Sequence, residues 1–227
     1  MAYNHEKGTC WYNEKTCCYI GIPKTASTTM RRVFSLESVD NYYQPENVNI
    51  KKLDLITIFR NPLDRLVSAY NEVVTRGGHP VEGEGIRKAS FWKMPESKER
   101  FITFLDDIEK EFFDSHVEEQ LFYMTNENDE LLPFTHILDF NNLDDQFINV
   151  LGLRTTENPD YFLKHDGMVQ IRVHQRSKDS DRERTNNYLD DTLIERIKKI
   201  YYRDFEFFNL LTKPKPTPKL FNSNLKW

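Results

Sequence analysis

The feature that most restricts the fold of this chain is a short apolar run that stops at a proline–lysine turn and passes into a helix. Cys17-Cys18-Tyr19-Ile20-Gly21-Ile22 follows a polar stretch and reads as a buried strand. It ends in Pro23-Lys24-Thr25-Ala26-Ser27-Thr28-Thr29, a loop of small and hydroxyl-bearing residues, and Met30 to Leu36 then reads as a helix. The same grammar returns at Leu53–Phe59, a second buried strand ending at Arg60. There Asn61 is a suitable N-cap, Pro62 suits the first helical position, and Asp64 favours the first turn. Leu63, Leu66, Val67, Tyr70, Val73 and Val74 recur at helical spacing. Two strand–loop–helix units predict an α/β fold with a P-loop-like central parallel sheet flanked by helices.

The rest of the chain fits that class. Thr135–Phe140 reads as a third strand, and Phe101, Phe104, Leu105, Ile108 and Phe112 mark an amphipathic helix. Leu143–Leu151 reads as a helix, Arg154–Arg184 as polar and mostly irregular, and Leu193, Ile197, Ile200, Tyr201, Phe205 and Phe208 as one last helix. Gly77–Lys98, rich in glycine, proline and charge, reads as a long surface loop of the kind used as a lid. A length of 227 residues suits one domain, placed at residues 1–212, with 77–98 as its lid and 213–227 as an extended proline- and lysine-rich tail.

Charge and cysteine usage narrow the function. The formal net charge of -5 argues against a nucleic-acid partner, whereas a small polyanionic ligand needs only a locally positive pocket. The cysteine number is odd, Cys17 and Cys18 are adjacent, and no metal-ligand spacing occurs. A reducing compartment is expected, with no disulfide framework and no metal site. Met1–Lys15 has no apolar stretch, so the expectation is a soluble, cytoplasmic protein with no membrane span.

Two sites carry chemistry. In the first, loop amides at a helix N-terminus and the hydroxyls of Ser27, Thr28 and Thr29 can hold an anion, and Lys24 can place an ammonium on one of its oxygens. The nucleotide-kinase loop places its lysine after a glycine, at the end of the turn. Here Lys24 enters before the turn and no Gly-Lys pair exists. In the second, Arg60 sits at a strand's carboxyl end, where open α/β sheets bind ligands. Ser68 projects from nearly the same helix azimuth as the cap Asn61, so Arg60 and Ser68 together can hold a second phosphate. The bland alternatives are a capped turn for the first site and an Arg60–Asp64 pair for the second.

Tyr19–Thr29 resembles the 5′-phosphosulfate loop of sulfotransferases that use 3′-phosphoadenosine 5′-phosphosulfate (PAPS). Ile58-Phe59-Arg60-Asn61-Pro62-Leu63-Asp64-Arg65-Leu66-Val67-Ser68-Ala69-Tyr70 resembles their 3′-phosphate motif, in a form closest to the carbohydrate (heparan and chondroitin/dermatan, family 2) branch. Weaker matches follow in order. Asp114–Gln120 is similar to a His-x-x-x-Gln segment of that branch. Ile137–Leu143 is similar to its strand-plus-Glu-Asn-Leu segment, with Asn141 where a glutamate is usual. Arg176-Ser177-Lys178 stands where the family has a late nucleotide-covering loop, and Tyr201–Phe208 where it has a closing helix.

The resemblance implies the sulfotransferase fold and transfer of a sulfuryl group from PAPS to a hydroxyl, of a carbohydrate above all. It implies that Lys24 faces the leaving phosphate, that Pro23, Lys24, Thr25, Ala26, Ser27, Thr28 and Thr29 hold the 5′-phosphosulfate, and that Arg60 and Ser68 hold the 3′-phosphate. Arg176, Ser177 and Lys178 would cover the nucleotide. For the base that takes the acceptor's proton, His116 and Glu46 are the candidates, with Glu37 a third. His79, Arg87, Lys88, Phe91, Trp92 and Lys93 in the long loop are candidates for acceptor contact. The competing classes are a P-loop nucleotide kinase and a non-catalytic nucleotide- or glycan-binding module.

Overall fold

The computed structural model describes residues 9–13, 17–27, 30, 54–75, 89–110, 114–143, 146 and 179–213. Among these residues one sheet contains four strands, in the order β1 (Thr9–Asn13), β2 (Cys17–Gly21), β3 (Asp54–Phe59) and β4 (His136–Asp139). β2, β3 and β4 run parallel, with Ile20 opposite Thr57 and Phe59 opposite Asp139. Their carboxyl ends therefore lie along one edge. β1 pairs antiparallel with β2, Thr9 opposite Gly21. This strand was not expected, because Met1–Lys15 read as polar throughout; hydrogen bonding to β2 organises a segment whose own pattern is too short to announce a strand.

Helices cover the sheet on both sides, so β3 is buried from Leu55 to Phe59. On one face Tyr19, Ile56, Ile58 and Leu138 pack with Met30 and Leu143. On the other, Ile22 and Phe59 meet Tyr123 and Met124 of α3 (Gln120–Met124), and the Phe207 ring lies 5.1 Å from that of Phe59. Between helices, α1 (Pro62–Thr75) presents Leu66, Ala69, Tyr70 and Val73 to Phe101, Phe104 and Leu105 of α2 (Lys98–Glu109) and to Leu193, Ile197 and Tyr201. Each fully buried aromatic or aliphatic side chain contributes about 1.5–3 kcal/mol. The α1 start follows the expected chemistry: Asn61 Oδ1 accepts from the Leu63 amide at 2.9 Å, and Pro62 fills the first position.

Three expectations change. Phe91–Lys93 forms a 3₁₀ turn, and Phe91 is wholly buried in the α1–α2 core, edge-on to Phe104. Asp107 fixes that turn by accepting from the Ser90 and Phe91 amides. Residues 89–97 are thus part of the packed body, and residues 76–88 lie outside the described ones. α4 (Asp179–Asn186) begins inside the stretch read as mostly irregular and runs past its end, and its Thr185 hydroxyl donates to Asn71 Oδ1 of α1 at 2.9 Å, both residues being buried. The single last helix is two, α5 (Asp191–Ile200) and α6 (Tyr202–Thr212). The break falls at Tyr201, which leaves helical geometry and donates its hydroxyl to Val117 O at 2.6 Å. The expected helix Leu143–Leu151, residues 151–178 and the tail 214–227 fall mostly or wholly outside the described residues. Among the described residues no helix is long and apolar enough to cross a membrane.

Candidate active site

The edge formed by the carboxyl ends of β2, β3 and β4 carries the two sites read from sequence. After β2 the chain turns through Pro23–Ala26, and both Lys24 (φ 69°) and Ala26 (φ 65°) adopt the left-handed region. For residues with a Cβ this costs about 1–2 kcal/mol each, and such outliers persist where surrounding contacts hold them. The contacts are visible. The buried Thr25 hydroxyl donates to Ile22 O at 2.9 Å, so it serves the loop itself. Arg65 Nε donates to Pro23 O at 3.0 Å, and Arg60 Nη1 donates to Lys24 O at 3.0 Å. The last contact joins the two sequence motifs directly.

Arg60 is nearly buried, and its guanidinium lies over the Phe140 ring, 4.3 Å from the centroid. Burial, with Arg182 beside it, pushes the guanidinium down to about 10, which leaves it charged at neutral pH. Among the described residues its Nε has no hydrogen-bond partner, an expensive condition for a buried donor unless a ligand or another group meets it. The backbone of Arg60 is clamped by Gln120, whose Oε1 accepts from Arg60 N at 3.0 Å and whose Nε2 donates to Arg60 O at 2.8 Å. Asp204 of α6 fixes Gln120 in turn, accepting from its amide at 2.8 Å and from that of Leu121 at 3.0 Å. The glutamine of the His-x-x-x-Gln segment therefore orients the arginine of the other motif. Ser68 is buried on α1 and does not lie on an exposed face.

The lysine leads to a group that sequence reasoning missed. Lys24 Nζ pairs with Glu72 Oε2. Glu72 lies one helical turn beyond Ser68, and that spacing is the signal that points to it. The other carboxylate oxygen, Oε1, stands 4.0 Å from His116 Nε2. His116 Nδ1 lies 2.7 Å from Asp114 Oδ1. An ionised carboxylate can only accept, so Nδ1 donates in that contact and Nε2 is the nitrogen that faces Glu72. Burial pulls the Lys24 ammonium below its ordinary value, Glu72 opposes that, and Arg60 and Arg182 add to it. Arg182, on α4, is a third cation at the site that was not foreseen, since its segment read as irregular.

The remaining candidates separate. Ser27 and Ala26 are half-buried in the loop. Thr28, Thr29, Glu37, Glu46, His79, Arg87, Lys88, Arg176, Ser177 and Lys178 lie outside the described residues. Phe91 belongs to the core, Trp92 stacks on it at 5.1 Å, and Lys93 is exposed. Asn141, at the place of the usual glutamate, is exposed and donates its amide to Asp139 Oδ1 at 3.0 Å.

A left-handed lysine turn and a buried arginine on one sheet edge, with a carboxylate-held histidine near them, form an arrangement able to meet an anionic ligand and to move a proton. Neither a search of curated proteins nor one of solved structures returned a match. A family model described as the sulfotransferase family does match, over residues 13–210, from the last residue of β1 into α6. With that match covering most of its length, the chain belongs to the sulfotransferase family.

Proposed function

We propose that this enzyme uses PAPS as its donor and a carbohydrate hydroxyl as its acceptor. The observation that carries the reading is the hydrogen bond from Arg60 Nη1 to Lys24 O, which brings the two anion-binding motifs to one edge within reach of one bisphosphorylated nucleotide. The donor set fits such a ligand. Lys24, Arg60 and Arg182 supply positive charge, and Arg60 Nε is a buried donor that finds no acceptor among the described residues. The donor would supply the sulfuryl group, whose bond to the 5′-phosphate oxygen breaks as the acceptor oxygen bonds to sulfur.

The protein's residues then have definite tasks. Lys24 meets the charge that develops on the leaving oxygen, the role for which a preorganised cation is most effective. The Pro23–Thr29 loop and Ser68 hold the phosphosulfate and the 3′-phosphate, the latter with Arg60. His116 takes the acceptor's proton at Nε2, because Asp114 holds its other nitrogen in the protonated form. Carbohydrate is the preferred acceptor because both motifs take the form of the carbohydrate branch.

Calorimetry with 3′-phosphoadenosine 5′-phosphate, ATP and 5′-AMP tests the donor. Selective binding of the first is expected, and equal affinity for ATP overturns the reading. Lys24→Ala should abolish transfer from radiolabelled donor to glycan acceptors with a smaller loss of bisphosphate affinity. Transfer to tyrosyl peptides but not glycans would overturn the acceptor class.

A further inference from the structure

We infer that Glu72 is a positioning residue for the transfer step: one carboxylate that holds Lys24 Nζ on one oxygen and faces His116 Nε2 with the other. The inference rests on the donor-site reading above and goes beyond it, since neither motif names a carboxylate at this place. Glu72 is buried, and it projects from the helix that also carries Ser68. It therefore touches both groups assigned to the chemistry without belonging to the donor's own phosphate ligands.

A negative charge inside an anion site needs a physical reason, and the neighbours supply one. Lys24 is surrounded by influences that favour loss of its proton: burial, Arg60 from the end of β3, and Arg182 from α4. Glu72, from α1, opposes all three. On the far side of the carboxylate stand His116 and Asp114, in the segment before α3, and Arg65 of α1 ties that segment down by donating to Glu118 O at 2.6 Å. Glu72 thus keeps Lys24 charged and aimed along the sheet edge before the donor arrives. The donor's 5′-phosphate then takes over as counter-ion. Glu72 remains beside His116, where its charge favours the imidazolium that forms when the acceptor gives up its proton.

The geometry has a consequence for binding. A protonated Lys24 strengthens the hold on the bisphosphate, so affinity falls as pH rises through the lysine's titration in the free protein. Removing the Glu72 charge leaves the three opposing influences in place, and that fall begins at lower pH. At pH well below the lysine's titration, the same change removes a like charge from the ligand's path.

Calorimetry of 3′-phosphoadenosine 5′-phosphate from pH 6 to 10 compares wild type, Glu72→Gln and Glu72→Asp. In Glu72→Gln the alkaline loss of affinity should begin at lower pH than in wild type, so that on that limb the variant binds the bisphosphate more weakly at a fixed pH. At pH 6.5 the same variant should bind as tightly as wild type or more tightly. Glu72→Asp keeps the charge, and its alkaline limb should return towards wild type; it also stands in if the glutamine variant fails to fold, because a limb displaced as far as full charge loss predicts would then contradict the inference. Coincident limbs in wild type and Glu72→Gln overturn the inference, as does a tenfold loss at pH 6.5 with an unchanged profile, which marks a merely structural role. Failure of wild type to bind the bisphosphate at any pH overturns the donor-site reading instead.

Discussion

Replacing Gln120 by methionine tests how the site is held. Gln120 is fully buried, and its amide closes a two-way pair with the main chain of Arg60 at 3.0 and 2.8 Å. Methionine has nearly the same length and fills the same space, so the main loss is polar. The Arg60 N–H and C=O are left without partners at a buried strand end, at about 1–3 kcal/mol each. The methionine's more favourable burial returns about 1 kcal/mol, for a net loss of about 3 kcal/mol. In a domain of this size each kcal/mol lowers Tm by about 2–4 °C, so a fall of about 6–12 °C is expected in a thermal melt. Bisphosphate affinity should fall as well, because Arg60 loses the clamp that aims it. Gln120→Glu adds a sign. A carboxylate accepts from Arg60 N but repels Arg60 O, and its protonated form restores a donor. The buried acid's folded pKa lies above its unfolded value, so this variant loses stability as pH rises through that window. A methionine variant that melts within about 1 °C of wild type and binds the nucleotide normally would refute the clamp.

Other outcomes follow from the same contacts. Burial, with Asp204 nearby, raises Glu119 to about 7, against the opposing pull of Arg203. The folded protein therefore holds a proton between about pH 4.5 and 7 that the unfolded chain has released, and stability falls as pH rises across that range; Glu119→Gln should remove about 1 kcal/mol of this slope in urea titrations, screening having reduced it. Asp107→Ala leaves the Ser90 and Phe91 amides without their acceptor and should cost about 1–3 kcal/mol, with loss of near-ultraviolet dichroism from the Phe91–Trp92 stack. At Ala26, held at φ 65°, valine should destabilise by about 1–2 kcal/mol in denaturant melts whereas glycine should not.

How far the sequence could be read depended on the range of the interaction. β3 was visible because a strand buried on both faces writes a continuous apolar run, and β2 and β4 showed as shorter apolar runs beside it. The start of α1 was visible because Asn61 and Pro62 cap it through contacts a few residues away. The site's two anchors, Lys24 and Arg60, stood out as charges where the local pattern required none. What stayed hidden depends on distant partners. Glu72 matters because Lys24 lies 48 positions away. α4 has almost no apolar face of its own and is held by Thr185 meeting Asn71 across 114 positions. The break at Tyr201 follows from a hydrogen bond to Val117, 84 positions earlier, and an apolar periodicity that runs on through the break conceals it.

The bracket formed by Asp204 has a temporal side. A chain made from its amino end has Lys24, Arg60 and His116 in place well before Asp204 is added. Until α6 docks, the amides of Gln120 and Leu121 lack their acceptor, and Gln120 has nothing to steady it against Arg60. Contacts between such remote positions form slowly, because a long loop must close before they can contribute. Anion capture at the sheet edge should therefore mature late in refolding, after the bulk of the helical signal has returned, with the final helix acting as the latch.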